Sequence, residues 1–388
     1  MNDSALDPRL ELGKRLTDNV LAPMNQSFVS KDEIIDLLGI SLVARENLFI
    51  LGPPGTAKSA LVQDLARRID GKVFDYLLTR FTEPNEIFGP FDIRKLRDGE
   101  LVTNTEGMLP EAAFVFLDEL LNANSAILNS LLLVLNERVF RRGRETRQLP
   151  TLAVIGASNR LPEDHALGAL FDRFLLRVRC DNVEHEALEN VLIAGWQMDR
   201  DADSRQSAIS VDDVRGLHGL MYEADFSAVR SDYVQLVHRL RHAGIMVSDR
   251  RAVKLQRMLA ASALLCGRLL VNRTDMWVMR YIWDTEEQQD VLTTIVGDVL
   301  DKADDDEKAA GHPRSRGNDV PDPEHLARDL EQISAKVGNG PLPATERTYL
   351  QDQLGILAGR CQWVADDQQR KFLEDKVHHL LGELEAPP

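Results

Sequence analysis

The chain has 388 residues, 44% of them hydrophobic and 28% charged, which suits two or three globular domains and excludes a disordered polypeptide. Lys and Arg total 46 against 62 Asp and Glu, a formal charge of −16 that repels nucleic acid and anionic membranes outside any local basic patch. Cys180, Cys266 and Cys361 show no CxxC spacing, the N-terminus lacks a signal-peptide core, and the apolar run near Ala260–Val271 is broken by Arg268, so the expectation is a cytoplasmic protein without a disulfide framework, zinc site or membrane segment.

Residues 9–46 carry apolar positions at helical spacing and read as one or two helices. From Asn47 to Cys180, short apolar runs alternate with helical stretches: Leu48–Leu51, Val73–Leu78, Phe114–Leu117, Leu152–Ala157 and Phe174–Val178. Runs of that kind indicate buried parallel strands with crossover helices. The fold expected for residues 1–180 is therefore α/β, a doubly wound, five-stranded parallel sheet.

Gly52-Pro53-Pro54-Gly55-Thr56-Ala57-Lys58-Ser59 falls between the first strand and a helix, the setting a phosphate-binding P-loop requires. Its backbone N–H groups, continuing into Ala60, wrap the phosphates of ATP at the positive end of that helix. Lys58 reaches the β- and γ-phosphates and Ser59 ligates Mg²⁺. Ala57 stands where the general motif has its second glycine, which is tolerable if that residue has helical φ/ψ.

Farther on, 92–106 reads as a hairpin turning at Asp98-Gly99. The strand Phe114–Leu117 then delivers Asp118 and Glu119 to its C-terminal edge, where α/β sheets bind ligands. Asp118 is expected to hold Mg²⁺ through water, and Glu119 to orient and polarise the attacking water. A second hairpin, Arg138–Pro150, turns at Gly143 and carries Arg138, Arg141, Arg142, Arg144 and Arg147. The strand Leu152–Ala157 ends in Ser158-Asn159, and Asn159 is placed to hydrogen-bond the lytic water or γ-phosphate.

No strand signal occurs from Asp181 to about Leu300, so 181–300 reads as a helical domain. The stretch 301–320, with its DKADDDEK run, reads as an acidic linker, and 321–388 as a helical C-terminal segment. The histidines lack ligand spacing, His378-His379 suits a solvated helix face, and Trp196, Trp277, Trp283 and Trp363 suit core or interface anchors.

Together these motifs resemble the MoxR family of AAA+ ATPases: GPPGTAKS, Arg80–Pro90, Glu106–Glu111, Leu135–Arg138 and Ala157–Asn159 occur in family order. Thr79–Phe81, Ala157–Glu163 and Val247–Arg251 are similar to the RavA-like branch. The likeness spans about Leu16–Asp284; the β-rich insertion of RavA-type proteins is not found beyond Leu300.

The resemblance implies that 181–300 is a lid domain. It also implies that Arg173 is an arginine finger entering a neighbouring subunit's site, and that Arg250, or Arg251 beside it, binds the nucleotide and senses its γ-phosphate. A finger in trans implies a homo-oligomeric ring, most simply a hexamer. The family further implies chaperone-like remodelling of a client protein, a VWA-domain partner, and pore-facing hairpins. The basic hairpin favours protein contact over nucleic acid, leaving a nucleic-acid motor and an ATP-gated scaffold with slow turnover as alternatives.

Overall fold

The computed structural model describes residues 9–316 except 98–100, 143–144, 163–164 and 201–206, and beyond them 327, 330, 333–334, 350, 354, 357–358, 361 and 367–385. The chain divides into two compact units, Met1–Ser315 and Arg316–Pro388.

The first unit opens with α1 (Leu10–Leu16), a π-helical turn at Thr17–Leu21, α2 (Ala22–Ser27) and α3 (Asp32–Ala44). α3 buries every position from Leu37 to Ala44, and reverses at Arg45 in the left-handed region. The sheet follows: β1 (Asn47–Leu51), β2 (Val73–Leu77), β3 (Phe114–Asp118), β6 (Ala153–Ser158) and β7 (Phe174–Arg179). All five are parallel in the order β2-β3-β6-β1-β7, each within a residue or so of its expected bounds. β1 and β6 are buried at every residue, which is why they appear in the sequence as unbroken apolar runs rather than alternations.

Between the strands lie α4 (Lys58–Arg68), α5 (Pro84–Phe88), α6 (Ile93–Arg97), α7 (Ser125–Glu137) and α8 (His165–Phe171). Asn124 caps α7 by accepting from the amides of Ala126 and Ile127. The basic hairpin is present as β4 (Val139–Arg142) paired with β5 (Glu145–Gln148); Gly143 and Arg144 lie outside the described residues. The first expected hairpin is only half borne out. Phe91 and Thr103 form an antiparallel bridge, but the limb after Phe91 is helical (α6) because Asp92 accepts from the amides of Arg94 and Lys95. The Asp98-Gly99 turn lies outside the described residues.

Beyond β7, the described residues form helices: α9 (Leu188–Arg200), α10 (Val211–Leu220), α11 (Arg230–His242), α12 (Asp249–Leu265), a 3₁₀ stretch Arg273–Tyr281, and α13 (Gln288–Leu300). Two charge clusters join these helices to the sheet domain. Glu46, 2% exposed, pairs with Lys254 and Arg257 of α12. Arg177 of β7, fully buried, pairs with Asp284, which also pairs with Arg251.

The linker expectation is corrected over 301–315. Asp304 and Glu307 form a capping box that starts α14 (Asp305–Ala310), Glu307 pairs with Arg273, His312 stacks on Trp277, and Arg314 pairs with Asp36 of α3. Trp277 and Trp283 are buried as expected, whereas Trp196 is 79% exposed; Trp363 lies outside the described residues. The second unit has its own apolar cluster of Leu330, Ile333, Leu350, Leu354, Leu357, Cys361, Leu373, Val377 and Leu380, the last three on a helix Asp367–Glu385. Among the described residues no helix is long and apolar enough to cross a membrane.

Candidate active site

β1 leaves the sheet between β6 and β7, so the loop that follows opens at the C-terminal edge. Gly52 donates its N–H to the Ser158 carbonyl, and a Cβ there would lie 2.1 Å from the Cys180 carbonyl oxygen, so only glycine fits. The loop then turns through Pro53 and Pro54 into Gly55 at φ +83°, and Thr56 Oγ1 donates to the Pro53 carbonyl at 3.0 Å.

Ala57 has φ 66° and ψ 21°, not the helical values expected for a non-glycine residue. The left-handed region costs an L-residue roughly 1–2 kcal/mol, and the loop imposes it nonetheless. α4 begins at Lys58 without a side-chain cap, leaving the amides of its first turn, which includes Ser59 and Ala60, for an anion. The buried Lys58 ammonium donates to the carbonyls of Gly52 (3.0 Å) and Pro53 (2.7 Å) at the loop itself.

Two strands away, Asp118 ends β3 and accepts the Glu119 N–H at 2.9 Å. Glu119 itself is left-handed (φ 49°), which breaks the strand and starts one 3₁₀ turn, Leu120–Asn122. That turn returns Asn122 to it: Asn122 Nδ2 donates to Glu119 Oε2 at 3.4 Å, and its Oδ1 accepts from Arg160 at 3.5 Å. Burial raises the Glu119 pKa, the Asp118 charge adds to the rise, and the charges of Lys58 and Arg160 oppose it. A carboxylate tuned upward in this way is a better proton acceptor from water. Between β3 and β1 lies β6, and exposed Asn159 immediately follows its last residue. The fold thus gathers Lys58, Asp118, Glu119 and Asn159 at one edge.

Sequence reasoning missed two features of this edge. Asn122 belongs to no motif and gains its place only through the 3₁₀ turn. A cavity of about 150 Å³ is lined by Ser30 and Lys31 just before α3, Glu33 and Ile34 in its first turn, and 179–184 from the end of β7 onward. Lys31 Nζ donates to the Asp181 carbonyl at 2.6 Å across it, and Cys180 packs against the loop with its thiol toward the Thr56 carbonyl. No sequence spacing links residue 31 to residue 181.

Arg173 is not at this edge. It precedes Phe174, which is level with Asn47 at the start of β1, while Leu51 at the end is level with Arg179. At about 3.3 Å per strand residue, Arg173 and Gly52 are roughly 15–20 Å apart along the strand direction. Arg173 pairs with Asp172 at 2.8 Å, and its Nε is buried without a partner.

The lid arginines separate clearly. Arg251 is buried and donates to the carbonyls of Met246 and Ile282 and to Asp284. Those bonds hold its guanidinium within the fold. Arg250 is exposed beside it. The basic hairpin is similarly spent in part: Arg138 is buried, Arg142 donates to the Gly89 carbonyl and lies over the Phe91 ring, and Arg147 donates to Thr105.

The donor set fits a triphosphate and a divalent cation: free helix amides, a buried ammonium, the Ser59 hydroxyl and a carboxylate. Among the described residues no group of three or more His, Cys, Asp or Glu is arranged to hold a metal. Mg²⁺ is ordinarily held by one or two protein oxygens with the remainder from phosphate and water.

A family model described as the MoxR domain of MoxR-vWA-beta-propeller ternary systems matches residues 14–219, and an AAA lid domain model matches residues 229–296. An uncharacterized protein of Methanocaldococcus jannaschii is 34% identical over 277 residues, covering 71% of this chain and 73% of that one. The chaperone MoxR1 of Mycobacterium tuberculosis is 25% identical over 165 residues, 42% of this chain and 43% of its own. A crystal structure from Cytophaga hutchinsonii superposes with a TM-score of 0.60 over 76% of this chain and 96% of that chain; at 20% identity it speaks to fold alone. None of these matches singles out the RavA-like branch.

Proposed function

Since the chain belongs to the MoxR family of AAA+ ATPases, we propose that it works as a Mg²⁺-dependent, ring-forming ATPase that remodels or activates a client protein. The observation that carries the reading is the division of residues between two edges of one sheet. The P-loop, Asp118, Glu119 and Asn159 occupy the C-terminal edge, and Arg173 the other. An arginine that far from its own loop serves a phosphate only in a second copy, most simply in a closed head-to-tail ring such as a hexamer.

In this reading the amides from Gly52 to Ala60 and the Lys58 ammonium bind and orient the triphosphate. The base is assigned to the cavity lined by the residues around Ile34 and by 179–184. Ser59 and Asp118 hold Mg²⁺, which when bound neutralises charge on the phosphates. Glu119 accepts a proton from water as its oxygen bonds the γ-phosphorus and the bond to the β–γ bridging oxygen breaks, releasing ADP and phosphate. Asn159 orients that water, and Arg173 of the neighbouring copy stabilises charge on the transferring group. Arg250, the exposed member of its pair, is the lid's contact to the phosphates.

A VWA-domain partner is part of the proposal, supported by the matching family model's description. The nucleic-acid reading loses ground because Arg138, Arg142 and Arg147 are committed within the fold. Glu119→Gln tests the function. The variant is expected to bind ATP normally, turn over about 10²–10³-fold more slowly, and retain client proteins in a pull-down that ADP releases. Wild-type turnover in that variant would remove Glu119 from the chemistry.

A further inference from the structure

The first turn of α3 supplies one wall of the cavity of about 150 Å³, through Glu33 and Ile34. Its N-cap residue, Lys31, makes no side-chain capping bond, so the first helical amides lack the partner that ordinarily stops a helix end from fraying. The start of α3 also carries three acids, Asp32, Glu33 and Asp36, the first and last of them one helical turn apart, where like charges repel. Such a wall needs outside support, and two side chains remote in sequence provide it. The Tyr281 hydroxyl donates to Glu33 Oε1 at 2.6 Å across 248 positions, and Arg314 Nε donates to Asp36 Oδ2 across 278. Glu33 and Asp36 lie three residues apart, on one face of the helix. We propose that Tyr281 and Arg314 are positioning residues for the nucleotide: by holding Glu33 and Asp36 they set the distance between the α3 wall and 179–184, and so the fit of the base. The proposal rests on the assignment of the base to this cavity.

The two supports are themselves fixed. The Tyr281 ring meets buried Trp277 edge-on, with centroids 5.7 Å apart. His312 stacks on the same indole at 4.6 Å, Arg268 donates to the Ala310 carbonyl at 3.0 Å, and Glu307 pairs with Arg273 at 3.1 Å. These contacts fasten 305–314 to the helical domain, so Arg314 reaches α3 from a rigid base. The Arg314 and Asp36 side chains are only 23% and 15% exposed, and removing one partner of a pair so shielded leaves the other's charge poorly solvated. Without Arg314, the Asp36 carboxylate is left beside the charges of Asp32 and Glu33, and their repulsion loosens the wall. The base is gripped alike in the bound and the reacting complex, so a looser wall raises KM and leaves kcat.

The test uses the full-length chain with Mg²⁺, comparing wild type with Arg314→Ala, Arg314→Lys and Tyr281→Phe. Phosphate release gives kcat and KM. Calorimetry gives the affinity for a slowly hydrolysed ATP analogue and for inorganic tripolyphosphate, which has the phosphates without the base. Arg314→Ala is expected to raise KM and weaken the analogue about 10-fold, with kcat and tripolyphosphate affinity within about two-fold of wild type. Tyr281→Phe, which loses one hydroxyl and keeps the ring on Trp277, is expected to move the same two quantities about three-fold. Arg314→Lys restores the cation and is expected to recover most of the loss. Variants that hold the analogue as wild type does would overturn the proposal. So would an equal loss of analogue and tripolyphosphate, the mark of a generally weakened fold. A wild type that binds tripolyphosphate as tightly as the analogue would instead refute the base assignment, and the positioning role with it.

Discussion

Ala57 occupies a backbone conformation that an alanine avoids, and it does so in the loop on which the chemistry depends. Its φ of 66° is set by the chain on either side, with Gly55 left-handed two residues earlier and α4 starting one residue later. Ala57→Gly is therefore expected to raise stability by about 1 kcal/mol: the left-handed strain of roughly 1–2 kcal/mol is relieved, less the extra unfolded-state entropy of glycine. A rise in urea midpoint at unchanged m value checks this, and an unchanged or lowered midpoint would show that the loop does not strain the residue. Residue type alone concealed the conformation, because an alanine in a glycine slot reads as a change of backbone. Arg250 and Arg251 are indistinguishable by type as well. Only the carbonyls of Met246 and Ile282 and the Asp284 carboxylate reveal which arginine is fixed in the fold.

Elements with both faces covered were the plainest in the sequence, and the helix that polar contacts hold at 305–310 was not legible. β1, β3 and β6 have no polar face to interrupt their apolar runs, so their bounds could be placed closely. The 301–315 stretch misleads because its acids resemble a solvated linker, whereas Asp304 and Glu307 cap a helix and Arg314 reaches back to Asp36. That contact has a pH signature. Burial raises the Asp36 carboxyl from an ordinary 3.8 to about 6, with Arg314 opposing, and lowers His312, packed on Trp277, from 6.5 to about 4. A raised carboxyl contributes stability that is lost as pH rises through about 6; a lowered histidine contributes stability that is lost as pH falls from 6.5 toward 4. The two slopes nearly cancel. Asp36→Asn leaves only the histidine slope, so between pH 7 and pH 5 the variant is expected to lose about 1 kcal/mol more than wild type does. Urea titrations at the two pH values measure the difference, and parallel behaviour of the two proteins would contradict it.

At the scale of the whole molecule, the sheet sets the P-loop and Arg173 at opposite edges. The motifs proposed to hold phosphate, metal and water are contiguous or end on neighbouring strands, so they were readable; Arg173 had only a family resemblance behind its proposed role until the strand register placed it at the far edge. The cavity beside Lys31 and Asp181, built from residues about 150 positions apart, had no sequence signal at all. Mixing two inactive variants tests the composite site most directly: Lys58→Ala, which lacks its own phosphate grip, with Arg173→Ala, which lacks the finger. Each alone is expected to release phosphate at background rate. Mixed subunits should regain a substantial fraction of wild-type turnover, because some junctions join an intact loop to an intact Arg173. A mixture that forms joint assemblies yet stays at background would contradict a site shared between copies.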